Sequence, residues 1–394
     1  MLIAHLSDLH LTEGPRLDDE TAVLNRIVDG GVEEDVCAWL LTGDLYGHTV
    51  PHRSTPRERL ALFGAVRRMA EHAPVVVVRG NHDHLEDFEG LAAIGGLHPV
   101  HVCTTPRVLL LQTHAGLLDV YAMPYPEKGW LLAGLGALSV EQAAHEVEAR
   151  LSALLRAWGG QIRMRSHVPA IFAAHVMIRG STTGAGVVLS GNEIELATGD
   201  LAELSGVTYG ALGHMHARQN VIGPHWYVGS PWHTAHSSTP QPERVWHLVE
   251  ASADHEATVT PVSTGARPWV AVEARWTGHR WQVESNHPIG EDLEGAEVRL
   301  RMRIAQTDLD TAPRGELLAT VEAQRPHRVV VEVVPEPVHR VRAPEVRKAA
   351  TLEDKIRGYW RSLGEAPPDD EQVLALAALD LLTQGPEAIE RAIV

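Results

Sequence analysis

The sequence predicts a layered α/β protein, followed by a smaller α+β region and a helical tail. Three observations carry that expectation. Short apolar runs recur along roughly the first 260 residues, helical patterns lie between several of them, and from about Pro261 the texture changes to strands and turns. Continuous apolar runs of this length read as strands buried on both faces, and their alternation with helices gives sheets covered by helices. With 394 residues the chain exceeds what one hydrophobic core usually serves, so more than one domain is expected.

The elements follow in chain order. Strands are expected at Leu2–Leu6, Ala38–Leu41, Val75–Val78, Val108–Leu111, Ala170–Ala174 and Val207–Leu212. Helical periodicity covers Asp18–Glu33, Pro56–His72 and Ser139–Trp158, the last opening as a capping box with Ser139 followed by Gln142. Residues 179–200 are rich in Gly, Ser and Thr and read as a surface loop close to the strand end at His175. The segments "RPWVAVEARW", "AEVRLRMRIA" and "HRVVVEVVPE" are strands of the second region. Beyond "VPEPVHRVRAPEV", helical patterns at Leu352–Leu363 and Asp370–Leu382 form either a docking tail or a hairpin packed on its own domain. The expected division is 1–261, 262–340 and 341–394.

Composition narrows the function classes. The two cysteines, Cys37 and Cys103, sit inside apolar runs, which leaves neither a disulfide framework nor a thiolate metal site. A formal charge of −17 argues against broad affinity for nucleic acid, although bound metal ions draw phosphate locally. All but three of the 34 basic residues are arginine, which suits phosphate but is also what a GC-rich genome gives. The start has no basic leader region and no apolar run approaches the roughly 18 residues of a membrane span, so a cytoplasmic protein is expected.

Polar residues cluster at the strand ends: "SDLH" (Asp8, His10), "TGDL" (Gly43, Asp44), "RGNHD" (Gly80, Asn81, His82, Asp83), "AAH" (His175) and "GHMH" (His214, His216). In layered α/β folds the carboxyl ends of neighbouring strands converge, so these residues are expected to meet. Two carboxylates, one amide oxygen and four imidazoles suit Mn²⁺, Fe²⁺ or Zn²⁺ better than Ca²⁺. That many donors can hold two ions, with a shared carboxylate keeping them about 3.5–4 Å apart to clamp a phosphoryl group. Asp44 is the best bridge. Gly43 before it leaves the backbone open to close approach. Residues i and i+2 of an extended chain point to one side, so His214 and His216 read on spacing alone as two ligands of a single ion.

In this order the motifs resemble the calcineurin-like metallophosphoesterase superfamily, whose pattern is Asp-x-His, Gly-Asp, Gly-Asn-His-Asp/Glu, His and Gly-His-x-His. The match covers about the first 250 residues. Within that superfamily the chain resembles the SbcD nuclease subunits, the bacterial branch of the meiotic-recombination-eleven DNA-repair nucleases. That narrower resemblance rests on "IAHLSDLHL", on "ALGHMHARQ" followed by "WYVGSPWHTAHS", and on "RVWHLVE" leading to "PVSTGARPW". It implies an α/β/β/α sandwich with a DNA-binding cap and a C-terminal helical tail.

For the site, the resemblance implies that Asp8, His10 and His216 hold one ion, that Asn81, His175 and His214 hold the other, and that Asp44 bridges. His214 and His216 then serve different ions. His82 is similar to the family's non-ligand histidine, which stabilises the transition state or protonates the leaving oxygen. Asp83 either orients that imidazole or makes a loop turn. Further implications are metal-dependent cleavage of DNA, exo- or endonucleolytic, with Mn²⁺ as the ion, an SbcC-like coiled-coil ATPase docked on the tail, and homodimerisation through helices of the nuclease domain. A phosphodiesterase or phosphatase for small molecules or nucleotides is the alternative.

The sequence departs from the pattern at "GDLYGH", where Gly47 stands at a position commonly His or Asp and His48 follows one residue later. Either His48 substitutes as a substrate contact, or it is a solvated histidine. Arg299, Arg301 and Arg303 alternate with apolar residues, placing three guanidinium groups on one strand face, either along a DNA backbone or in solvent. Arg218 is open between a phosphate contact and a salt bridge. His225, His233 and His236 either line the substrate groove or are ordinary loop histidines.

Overall fold

The computed structural model describes residues 1–47, 53–136, 138–182, 194–237, 242–285, 293–336, 346, 349, 351–363 and 368–384. The chain divides into two compact units, Met1–Met302 with Pro313–Val333, and Arg303–Ala312 with Val334–Val394.

The strands are β1 (Leu2–Leu6), β2 (Ala38–Leu41), β3 (Val75–Val78), β4 (Val100–Cys103), β5 (Arg107–Thr113), β6 (Gly116–Met123), β7 (Ala170–His175), β8 (Met177–Ile178), β9 (Glu195–Leu196), β10 (Tyr209–Gly213), β11 (Gln219–Ile222), β12 (His225–Tyr227), β13 (Val245–Glu250), β14 (Thr258–Ser263), β15 (Trp269–Trp276), β16 (Trp281–Val283), β17 (Glu297–Ala305) and β18 (Arg328–Glu336). The helices are α1 (Leu17–Glu33), α2 (Pro56–His72), α3 (Leu85–Ala92), α4 (Lys128–Leu131), α5 (Val140–Met164), α6 (Thr198–Ala202), α7 (Arg314–Glu322), α8 (Leu352–Leu363) and α9 (Asp369–Gln384).

Among the described residues, one sheet runs β14-β13-β1-β2-β3-β4 and a second runs β11-β12-β10-β7-β6-β5. Strand periodicity builds the layers. Val75 and Val77 of β3 face the cluster formed with α1, α2 and α3, while Val76 and Val78 face the layer between the sheets. In β7, Ile171 and Ala173 enter that same middle layer, whereas Phe172 and Ala174 pack with Leu151, Leu155 and Trp158 of α5. The result is the expected α/β/β/α sandwich, in which each fully buried Val or Leu contributes roughly 1.5–3 kcal/mol. A third sheet, β16-β15-β17-β18, belongs to the later part of the chain.

The caps expected at α5 are present, Ser139 accepting from the Gln142 amide and Gln142 from that of Ser139; Thr55 and Glu58 do the same for α2. The helix expected to end at Trp158 runs on to Met164. Its Gly159 is no stop: a Cβ there would lie 1.9 Å from the Glu203 carbonyl, so the glycine serves close packing. Strands β4 and β6 were not expected. The middle of β6 carries Asp119, which interrupts its apolar run and is buried against Arg165 at 2.9 Å. The region expected as loop at 179–200 contains β9 and the start of α6.

Candidate metal centre

Donors arrive from the ends of β1, β2, β3, β7 and β10, and the loops that carry them are locked together by backbone hydrogen bonds. Asp8 N donates to Gly43 O at 3.0 Å, and His10 N to Asp44 O at 2.9 Å. Among the described residues six non-glycines have positive φ, and four of them belong to the centre: Asp8 (53°), His10 (46°), Asp44 (51°) and His214 (104°). Strain of that kind is maintained where surrounding structure over-determines it, and it concentrates at functional sites.

The donors fall into two groups. Asp8, His10 and His216 converge in one, with His10 Nε2 2.8 Å from His216 Nε2 and 4.0 Å from Asp8 Oδ1. Asp44, His175 and His214 form the other. Asn81 Oδ1 joins it at 3.0 Å from His175 Nε2 and 3.1 Å from His214 Nδ1. Asp44 Oδ2 lies between the groups, 3.7 Å from His10 Nε2 and 3.4 Å from His175 Nε2. His214 and His216 therefore stand in different groups despite their spacing.

The residues fit a pair of divalent cations. Asp8, Asp44 and His175 are almost completely buried, so their charge and lone pairs are turned toward one another rather than to solvent. The ring nitrogens remote from the centre are held: His175 Nδ1 donates to Thr42 O at 2.7 Å, and His216 Nδ1 meets Thr234 Oγ1 at 3.0 Å. That orientation turns both Nε2 lone pairs inward, as ligating histidines require.

Electrostatics points the same way. Burial raises the Asp44 carboxyl, but the imidazoles of His175, His10 and His82 outweigh it and hold the group well below its usual range. Burial likewise disfavours a charged His175, yet Asp44 and Asp8 carry its pKa up to about 9. Without a cation the buried anion thus retains a proton on its neighbour, and cation binding must displace that proton. Affinity for divalent cations is expected to fall as pH drops below about 9, by up to ~10-fold per unit while one proton is displaced. Titration calorimetry at pH 7 in two buffers of different ionisation enthalpy checks this; heat independent of buffer contradicts it.

Asp83 does not orient His82. Its Oδ2 accepts from the amides of Asp44 and Gly80 at 2.9 Å each, and its Oδ1 from that of Leu45 at 2.9 Å. The buried carboxylate therefore holds the loop that presents the bridging residue, an expectation about catalysis replaced by one about position. His82 Nδ1 has no partner among the described residues, and its Nε2 stands 4.0 Å from Asp44 Oδ2.

The space beside Gly43 is taken by the His175 ring, 2.4 Å from where a Cβ would sit, so the opening expected there for metal and substrate serves a ligand histidine instead. At Gly80 a Cβ would stand 2.1 Å from Asp44 Oδ1. Gly80→Ala is expected to push the bridging carboxylate aside and lower kcat by ~10–100-fold, the range seen for residues that orient metal ligands. Measured kcat within twofold of the parent contradicts this.

Of the remaining residues singled out, His48 lies outside the described residues. Among the described residues Arg218 makes no salt bridge: its Nε donates to His247 Nε2 at 2.9 Å and its guanidinium lies over Trp226. The arginine stripe alternates with buried Val298, Leu300, Met302 and Ile304 as expected, but two members are committed to carboxylates. Arg301 pairs with Glu332 at 3.2 Å and Glu273 at 3.4 Å, and Arg303 with Glu336 at 4.0 Å. Arg299 has no carboxylate partner among the described residues. His225 is buried under Gly210, and His233 is buried against Arg244, whose Nη1 also donates to His216 O at 3.0 Å.

Sequence reasoning missed Thr42, Thr234, Arg244 and Tyr125, the last with its ring 5.7 Å from that of His214. Thr42, Thr234 and Arg244 lie inside the quoted segments "TGDL", "WYVGSPWHTAHS" and "RVWHLVE", but nothing in their residue type set them apart there. Only their proximity to ligands in the folded chain marks them.

A solved structure of a dimetal phosphatase from Danio rerio is 12% identical, covering 67% of this chain and 99% of its own, at a TM-score of 0.33. No curated protein matches the chain. The family model for calcineurin-like phosphoesterases matches residues 1–218, a span that holds all seven candidate donors and His82. The chain belongs to the calcineurin-like phosphoesterase family.

Proposed function

We propose that this phosphoesterase is a two-ion DNA nuclease, the nuclease subunit of an SbcCD-like complex, with Mn²⁺ as its ions. When bound, two divalent ions supply Lewis-acid activation of water and of the phosphoryl oxygens. The chain's own residues set the geometry. Asp44 faces both groups, Asp8, Asn81 and the four imidazoles fix the remaining donor positions, and Asp83 holds the Asp44 loop. His82 stands at the half-open side to hand a proton to the leaving oxygen.

The observation that carries the choice of a polymeric substrate is a cation–aromatic cluster joined to the centre by one short segment. Thr234 touches His216, and two residues on, His236 stacks on Trp269 with centroids 5.0 Å apart and planes at 27°. The Arg16 guanidinium carbon stands 3.9 Å from the same Trp269 ring. Burial and the positive charges of Arg299 and Arg16 push His236 down to about 4. Glu20 and Glu297 offset Arg16 in part, and Glu297 is paired with Arg328 at 2.9 Å. Trp269 is itself buried, so what the cluster offers a strand is the positive charge of Arg16 and Arg299 beside the centre, which suits a substrate carrying successive phosphates.

The other parts of the reading follow the same resemblance. Residues 262–340 act as the cap, and 341–394 dock a coiled-coil ATPase, with Leu352 and Tyr359 of α8 and Val373 and Leu374 of α9 exposed for it. A groove of about 710 Å³ between Leu60, Phe63, Ile94 and Leu97 offers an apolar face for a homodimer. Leu60 and Leu97 are 75% and 79% exposed, more than a solvated surface favours. The complex works in the cytoplasm; no helix among the described residues is long and apolar enough to cross a membrane.

The test is a Mn²⁺-dependent assay on end-labelled duplex and hairpin DNA, with and without ATP and the ATPase partner. DNA cleavage is expected, with Arg16→Ala and Arg299→Ala raising KM for DNA but not for bis(p-nitrophenyl) phosphate. Hydrolysis of the small diester with no cleavage of any DNA favours the small-molecule esterase instead.

A further inference from the structure

Between the sheets, a line of polar side chains crosses a layer that is otherwise apolar. His5 of β1, Tyr209 of β10 and His247 of β13 are fully buried, and none is among the seven candidate donors. From the surface inward, Arg218 Nε lies 2.9 Å from His247 Nε2, and His247 Nδ1 lies 2.9 Å from the Tyr209 hydroxyl. That hydroxyl is 2.8 Å from His5 Nδ1, and His5 Nε2 is 2.9 Å from Thr42 Oγ1. Thr42 closes the line on the metal centre, because its carbonyl accepts from His175 Nδ1.

The donor inventory leaves one arrangement of protons. A guanidinium only donates, so His247 Nε2 is bare and its neutral ring carries the proton on Nδ1. Tyr209 oxygen must then accept from His247, which sends the tyrosine proton to His5 Nδ1. The His5 proton consequently sits on Nε2 and faces Thr42. Burial keeps both rings neutral, aided at His5 by His247 and at His247 by Arg218. Every bond in the line points the same way, from Arg218 toward Thr42. A row of apolar side chains would fill this layer without the cost of burying polar groups. What the polar row adds is a single fixed arrangement across β1, β10 and β13 that ends at the residue holding His175.

We infer that Arg218, His247, Tyr209 and His5 form a proton-ordered strut that fixes Thr42, and through its carbonyl the His175 ring. They are positioning residues for the ion that His175 helps to hold. The inference rests on the two-ion reading of the centre.

Histidine ¹⁵N NMR of the full chain, with Zn²⁺ as the probe ion, tests it. In the parent protein His247 is expected as the Nδ1–H tautomer and His5 as Nε2–H. Arg218→Met retains an apolar stem over Trp226 but has no donor. It is expected to mix both tautomers and weaken one of two Zn²⁺ ions by ~10–100-fold, leaving the ion of Asp8, His10 and His216 unchanged. Tyr209→Phe cuts the line at its middle and is expected to do the same; should it fail to fold, the surface variant carries the test. Opposite tautomers in the parent, or parent-like Zn²⁺ binding in Arg218→Met, overturn the inference. A parent protein that binds fewer than two Zn²⁺ ions overturns the two-ion reading instead.

Discussion

Asp44→Asn is expected to lower phosphodiester hydrolysis by at least ~10³-fold, on the order of 4 kcal/mol of barrier. The substitution retains the side-chain shape and the Oδ1 acceptor for the His82 amide, a bond of 2.9 Å. What it removes is the charge facing His10, His175 and His82. His175 then loses the partner that holds its proton, and neither group of donors retains a carboxylate shared with the other. Metal content measured beside kcat separates the causes. A folded Asp44→Asn protein with two ions and near-parent kcat contradicts the role assigned to this residue.

His82→Ala is expected to act on chemistry without acting on metal. A positioned general acid contributes ~10²–10⁴-fold, and a loss in that range is expected in kcat with both ions retained. The geometry leaves a sharp alternative, since His10, Asp44 and His82 also come close enough together to hold an ion. Its ring meets that of His10 edge-on at 5.0 Å, and its side chain is 27% exposed, which suits a group that must reach substrate. Metal analysis of the variant decides: loss of one ion per chain makes His82 a ligand and removes the general-acid assignment. A further readout is the leaving group. Diesters with a good leaving group need less protonation, so the variant is expected to lose less activity on p-nitrophenyl esters than on DNA.

Much of this centre was legible because strand periodicity and strand ends are local signals. A run such as Val75–Val78 announces a strand buried on both faces, and the polar residues just past it announce an edge where remote segments meet. What sequence could not give was the direction of each side chain. Asp83 adjoins His82 in the chain, yet its carboxylate turns to the amides of Asp44, Leu45 and Gly80. Arg301 and Arg303 share a face with Arg299, but their carboxylate partners come from other segments, Glu273, Glu332 and Glu336. The helix expected to end at Trp158 runs on through Gly159, whose reason lies 44 residues away, in the Glu203 carbonyl. The strut through His5, Tyr209 and His247 is the extreme case, since its members sit within strands, on faces where apolar residues are expected.

Whether Asp44 would be shared by two ions is decided by electron paramagnetic resonance of the Mn²⁺-loaded protein. Ions about 3.5–4 Å apart on a shared carboxylate are exchange-coupled, so two equivalents of Mn²⁺ are expected to give a broad, coupled multiline spectrum. In Asp44→Asn that spectrum is expected to vanish. Two equivalents bound to the parent with only the six-line signal of isolated Mn²⁺ would contradict the bridged pair.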